Sequence, residues 1–292
     1  MTNWNGQVSW NPKATAQPKS VWQLQALLLV SKKVRLGGAL HSMNESLVAD
    51  DDTVWIDMKG LNQVGKVQKE ADGTHTVWVE AGASLEKISN ELAEQGFAFE
   101  NLPTSKDITI GGAIANGVHG SSRDHGAMLV EQVVGMEIVD TYGKLHRVLD
   151  EPTLKVVRIG VGSLGATVRV KLRVVEDFEL LREKFSGACA DMRTIVGAHD
   201  HAIIWYDPVD EECAFDVWDR VDTPAEQARA DELRTAGSVK TDYEKVTAAE
   251  LEQKKAAVAL IDQVPAVRDI VRRSAMTPRP AIVGKARFQF QM

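Results

Sequence analysis

The sequence predicts an α+β fold in two parts, and three observations carry the prediction. Up to Glu176, short strand-like segments mix with a few helical ones, without the regular βαβ alternation of a parallel α/β sheet. That part closes on a long period-two segment, Ala166 to Glu176. Beyond it the pattern changes to a strand pair followed by two strongly signalled helices. The 292 residues are long for one domain and comfortable for two, so the division is placed at 1–176 and 177–292.

The elements follow in order. Residues Met1 to Trp10 form an extended lead-in carrying Trp4 and Trp10. Ser20 is the N-cap of a helix running to about Ser31, with Val21, Leu24, Leu27 and Leu28 at helical spacing. Val34 to Leu36 is a short strand that breaks at Gly37-Gly38, and Thr53 to Met58 is another. Val64 to Glu70 and Thr74 to Glu80 form a hairpin across Ala71-Asp72-Gly73. Ser84 caps a helix with Leu85, Ile88 and Leu92 as its apolar stripe, which Gly96 stops. Val133 to Asp140 and Lys144 to Val148 make a second hairpin through Thr141-Tyr142-Gly143. Along Ala166 to Glu176, Val168, Val170, Leu172 and Val174 share one face.

In the second part, Ala202 to Tyr206 and Cys213 to Trp218 pair as strands. Thr223-Pro224-Ala225-Glu226 and Thr247-Ala248-Ala249-Glu250 are capping boxes that each open a helix. Pro278 and Pro280 break the pattern, after which Lys285 to Met292 alternates aromatic and polar residues and ends mid-pattern. Such a half-apolar strand is an edge open to a partner strand or chain.

Composition narrows the function classes. With 44% hydrophobic and 26% charged residues the chain has an ordinary globular balance. A net charge of −7 without a long basic run argues against a nucleic-acid surface. The longest apolar run, Ala256 to Ile261, is too short to span a bilayer. The N-terminus has neither the charged nor the apolar region of a secretory signal. Cys189 and Cys213 lie far apart without a CxxC, suggesting neither a zinc site nor a disulfide framework, so a cytoplasmic location is the default expectation.

The chain is organised around Asn101 to Ser122, where Gly111, Gly112, Gly117 and Gly120 stand among small and hydroxyl residues. Each glycine costs a helix or strand up to about 1 kcal/mol relative to alanine, so an ordinary element is not expected here. Glycines admit positive φ and close approach of a ligand, and exposed amides could cradle an anion such as a pyrophosphate. The alternative is a glycine-rich connection between strands. Gly160-Val161-Gly162-Ser163-Leu164-Gly165 also matches GxGxxG, but a strand follows it where the dinucleotide fingerprint needs a helix. It reads as a turn feeding a strand.

Two segments together resemble a known family. Arg35-Leu36-Gly37-Gly38-Ala39-Leu40-His41-Ser42-Met43-Asn44 and the Asn101 to Ser122 stretch are similar to the PCMH-type FAD-binding domain of the vanillyl-alcohol-oxidase superfamily. Within it they resemble the aldonolactone and alditol oxidase branch, with its G-x-x-H-S and N-L-x-S segments and its G-x-x-x-x-G-x-H-G run. The resemblance extends from Trp4 through Glu176, and more loosely through Trp205 to Asp222.

That resemblance implies a two-subdomain FAD-binding domain followed by an incomplete α+β substrate domain. It implies that Leu36, Gly37, Gly38, Ala39, Leu40, His41 and Ser42 wrap the FAD pyrophosphate, with His41 bonded covalently to the flavin's 8α-methyl carbon. Thr109, Gly112, Asn116, Gly117, Val118, His119, Gly120, Ser121 and, through its backbone, Val168 would contact the cofactor. Pro103 and Thr104 would face the reactive edge, where proline goes with oxidase behaviour and Thr104 replaces the usual serine. The implied reaction is hydride transfer from a CH–OH carbon of a sugar-derived polyol or lactone to the flavin, with O2 as acceptor and hydrogen peroxide as product. The branch's later catalytic lysine and histidine-rich motif have no counterpart, so a flavin-binding fragment completed by a partner segment is the alternative. Asp124, His125 and His119 repeat no metal-ligand spacing, and no metal site is expected.

Overall fold

The computed structural model describes residues 1–122, 124–240, 273, 275, 276 and 278–286. They divide into two compact units: Met1–Gly120 with Gly126–Asp177, and Ser121–His125 with the described residues from Phe178 onward.

The first unit runs β1 (Ala14–Ala16), α1 (Val21–Val30), β2 (Val34–Gly37), β3 (Val54–Asp57), β4 (Gln68–Lys69), β5 (His75–Glu80), α2 (Leu85–Ala93), β6 (Phe97–Ala98), α3 (Ile110–Ala115), β7 (Val133–Val139), β8 (Leu145–Val148), α4 (Glu151–Val157) and β9 (Ala166–Glu176). A small parallel sheet has the order β1-β3-β2. A larger antiparallel sheet has the order β4-β5-β9-β7-β8, with β6 added on β9. Leu24 of α1, Ile56 and Met58 around the end of β3, and Val139, Ala166 and Val168 of the larger sheet share one buried cluster.

The caps and turns form as expected. The Ser20 and Ser84 hydroxyls accept from the Gln23 and Lys87 amides, both at 3.2 Å. Leu85, Ile88 and Leu92 are buried, and Gly96 closes α2 at a φ of +82°. In β9, Ala166, Val168, Val170, Leu172 and Val174 are all buried, so the period of two marks the true core face. Burying each valine contributes about 1.5–3 kcal/mol.

Two expectations in this unit need correction. The first hairpin spans the predicted residues but its ladder is interrupted: Val64 bridges Val79, Gln68 and Lys69 pair with Thr76 and His75, and between them the Val67 amide donates to the Gln95 side chain at 3.0 Å. The glycine-rich centre contains a helix after all, α3, whose sequence is Ile-Gly-Gly-Ala-Ile-Ala. Its Ile110 and Gly111 amides donate to the Ala83 and Ala81 carbonyls, both at 2.8 Å. A side chain at Gly111 would lie 2.9 Å from Ala81, so close docking accounts for a glycine that helix propensity disfavours. Helix α4, which Asp150 caps through the Thr153 amide, was not predicted.

The second unit holds β10 (Glu179–Gly187), α5 (Met192–Ala198), β11 (His201–Asp207), β12 (Glu212–Arg220), α6 (Pro224–Thr235), β13 (Val239–Lys240) and β14 (Arg279–Lys285). Its five-stranded sheet has the order β11-β12-β10-β14-β13. The first capping box is real: Thr223 Oγ1 accepts from the Glu226 amide at 3.3 Å and Glu226 accepts from the Thr223 amide at 2.7 Å. Helix α6 packs Ala230 and Leu233 against Leu181 and Val283. Strand β10 escaped prediction because polar Arg182 and Lys184 are themselves inward, which erases the apolar alternation.

Cys189 and Cys213, expected to be unpaired, form a disulfide with Cα atoms 5.2 Å apart. Antiparallel pairing sets Gly187 opposite Cys213, and the chain turning after β10 brings Cys189 back over it. The cysteine count therefore no longer argues for a reducing compartment. Pro280 lies inside β14 rather than breaking it, next to a register irregularity opposite Arg182 to Lys184 that tolerates a missing amide donor. The capping box at Thr247 and the residues following Ala286 lie outside the described residues. No helix among the described residues is long and apolar enough to cross a membrane.

Candidate cofactor site

A cavity of about 520 Å3 opens in the first unit, within the range of about 300–1,000 Å3 usual for small-molecule sites. Three stretches distant in sequence supply much of its wall, with Ile138 to Thr141, at the end of β7, beside them. The loop after β2 contributes Leu36, Gly37, Gly38, Ala39, Leu40, His41 and Ser42. Helix α3 and its flanks contribute Thr109, Gly111, Gly112, Asn116 and Val118. The turn Gly160 to Gly165, leading into Ala166 and Thr167, forms the third wall.

Packing of this wall depends on small residues. A β-carbon on Gly38 would stand 2.1 Å from Thr109 Oγ1, and one on Gly37 would stand 1.9 Å from the buried Trp55 ring. The chain here can approach the start of α3 only without a side chain at Gly38, and pack on Trp55 of β3 only without one at Gly37. Leu40 turns the loop at a φ of +64°, a left-handed conformation uncommon for a leucine.

His41 is held from two sides. Its Nε2 lies 2.8 Å from Asp107 Oδ2, and its ring stacks on Trp4 at 5.1 Å between centroids with 21° between planes. The hydrogen bond with His41 holds the Asp107 carboxyl below the usual carboxylate range. The lead-in segment binds the loop as well: the Trp4 amide donates to the Leu40 carbonyl at 2.9 Å, and Asn3 Nδ2 to the Ser42 carbonyl at 3.0 Å.

The lining chemistry suits an anionic nucleotide. Glycines line the cavity together with Ser42, Ser46, Thr109, Thr141, Ser163, Thr167, Arg35, Arg158 and His41, although Arg158 is paired with Glu151 at 2.7 and 2.9 Å and Ser163 Oγ donates to the Gly160 carbonyl at 2.6 Å. Asp140, the acid in this wall, is taken up by its own turn. It accepts from the Tyr142 and Lys144 amides and lies 2.7 Å from His146 Nε2. The residues present therefore fit a bound dinucleotide.

Other predicted site residues lie elsewhere. Pro103 is buried and Thr104 exposed, and neither lines the cavity. Val168 is fully buried and its carbonyl accepts from the Ala81 amide, while its neighbours Ala166 and Thr167 reach the wall. Gly117 turns at a φ of +63° just beyond the wall. His119 and Gly120 continue into a short antiparallel pairing with Ala127 to Leu129. Ser121 belongs to the second unit, where its carbonyl accepts from the Ala202 amide at 3.3 Å. Sequence reasoning missed Trp4, Asp107, Arg158 and the Gly160 turn as parts of this neighbourhood. For the last of these the GxGxxG spelling was the available signal, rightly refused as a Rossmann site yet part of the cavity.

Comparison with known proteins gives this cavity its class. Residues 12–149 match the family model described as FAD binding domain, so the chain carries an FAD-binding domain, of the PCMH type that the two motif segments resemble. Among curated relatives, it is 30% identical to L-gulonolactone oxidase of Mus musculus over 204 residues, 68% of this chain and 45% of that one. It is 29% identical to D-arabinono-1,4-lactone oxidase of Eremothecium gossypii over 242 residues, 78% of this chain and 44% of that one. The chain thus spans about half the length of the curated relatives it matches. Among solved structures, cholesterol oxidase from B. sterolicum is similar with a TM-score of 0.74 and 19% identity, covering 98% of this chain and 60% of that one, a likeness of fold.

Proposed function

We propose that this chain belongs to an FAD-dependent oxidase of a sugar-derived polyol or aldonolactone, with O2 as acceptor and hydrogen peroxide as product. The observation that carries the reading is His41, set in the wall of a glycine-rich cavity and flanked by Asp107 and Trp4, in a chain related to lactone oxidases. FAD supplies the hydride acceptor when bound. Leu36 to Ser42 and Thr109 to Val118 would hold it, and His41 would bind it covalently. The share of the relatives' length that this chain spans favours one second reading, a flavin-binding part that turns over only with further residues.

Acid precipitation of the purified full chain tests the attachment. Yellow colour pelleting with the protein, and released by His41→Ala, is the expected result; a colourless pellet from the wild type refutes covalent binding. Peroxide formed from D-arabinono-1,4-lactone or L-gulono-1,4-lactone then separates the two readings. A yellow protein that forms none with either lactone favours the second.

A further inference from the structure

We propose that Asp107 and Trp4 are positioning residues that prepare His41 for its bond to the flavin; the inference rests on the covalent reading just given. Asp107 stands 66 residues from His41 in sequence, yet its Oδ2 lies 2.8 Å from His41 Nε2. An ionised carboxylate can only accept, so Nε2 carries a hydrogen, and in the neutral imidazole Nδ1 then keeps its lone pair. The lowered pKa of Asp107 keeps that carboxylate ionised at neutral pH. An acid that selects a histidine tautomer in this way is a recurring device wherever an imidazole must act through one chosen nitrogen.

Trp4 sets the ring plane. It stacks on the imidazole at 5.1 Å, and the backbone is bound on both sides of His41, at Leu40 through the Trp4 amide and at Ser42 through Asn3. The histidine therefore has a fixed plane, a fixed tautomer and a loop clamped on either side. Its side chain is 21% exposed, whereas that of Asp107 is 59% exposed, so changing Asp107 removes little packing.

His41 Nδ1 replaces one hydrogen on the flavin's 8α-methyl carbon as the N–C bond forms and the C–H bond breaks. The C–H proton leaves to water, the imidazolium sheds its Nε2 proton through Asp107, and the C–H electron pair stays on the flavin. O2, the acceptor of the proposed reaction, removes that pair with two protons as hydrogen peroxide. Asp107 faces the ring while it carries positive charge.

The test uses full-length protein purified without flavin from riboflavin-starved cells and then given FAD. Acid-stable flavin is followed with time, and reversible binding is followed separately by flavin fluorescence. Asp107→Asn should slow attachment about 10–100-fold, the usual cost of losing such an orienting partner, while reversible FAD binding is unchanged. Asp107→Glu should restore part of the rate. Trp4→Ala should slow attachment and Trp4→Phe should not. Nitrogen NMR of the flavin-free protein should find His41 protonated at Nε2, and that preference lost in Asp107→Asn. Attachment of Asp107→Asn at the wild-type rate, or an unchanged tautomer, overturns the proposal. A wild type whose flavin is wholly released by acid overturns the covalent reading and the role given to Asp107, even where NMR finds the pair intact.

Discussion

Lowering the pH from 7 to 5 should destabilise the second unit through His201, by an amount that can be worked from its burial. His201 opens β11 with no exposed surface, and burial, aided by repulsion from His125, pushes its imidazole down to about 3. In the unfolded chain a histidine titrates near 6.5. Between these values the unfolded chain holds a proton that the folded chain refuses, so stability is full above the unfolded value and falls as the pH drops towards 3. At pH 5 the gap is about 1.5 pH units, or about 2 kcal/mol at about 1.36 kcal/mol per unit. His199 works in the opposite sense, because its hydrogen bond with Asp219 raises its pKa and adds stability once it is protonated. The comparison is therefore between wild type and His201→Phe, each unfolded in urea across this pH range, with the His201 ring titrated by NMR. Wild type should lose about 2 kcal/mol more than the variant. Equal losses in the two proteins, or a folded His201 titrating above pH 5, would refute the reasoning.

Two further substitutions test the packing described above. Gly38→Ala places a methyl 2.1 Å from the buried Thr109 Oγ1; it should cost about 1–3 kcal/mol in urea unfolding and lower the flavin-to-protein absorbance ratio, and a variant normal on both counts contradicts the close approach of the β2 loop and α3. Asp216→Ala strands Arg182, which grips Asp216 at 2.7 and 2.9 Å, and should cost about 3–5 kcal/mol, whereas the joint Arg182→Met and Asp216→Leu change should come out near neutral by the same assay.

What could be read from the sequence is what a local pattern encodes. The core face of β9 was legible because every second residue is apolar, and the caps at Ser20, Ser84 and Thr223 because a side chain there bonds an amide two or three positions on. Strand β10 was hidden because Arg182 and Lys184 turn inward and satisfy themselves on Asp216, on aromatic faces and on a carbonyl, which no periodicity announces. The disulfide was hidden because only the antiparallel register brings Cys189 and Cys213 together. Helix α3 was hidden because Gly111 answers to Ala81, distant in sequence, rather than to helix propensity.

The cavity divides in the same way, and the division bears on its chemistry. Backbone demands write themselves into the chain as glycines, so Gly37, Gly38 and Gly112 could be placed at the site from composition and resemblance. His41 could be placed there by its motif. Its partners could not, since an aspartate or a tryptophan looks the same in sequence whether it faces solvent or an imidazole. Yet in the fold it is Asp107 that lies 2.8 Å from His41 Nε2 and Trp4 that stacks on its ring. A motif can thus name the histidine while leaving its surroundings unspecified. Those surroundings come from three stretches, around Trp4, His41 and Asp107, that only the folded first unit brings together.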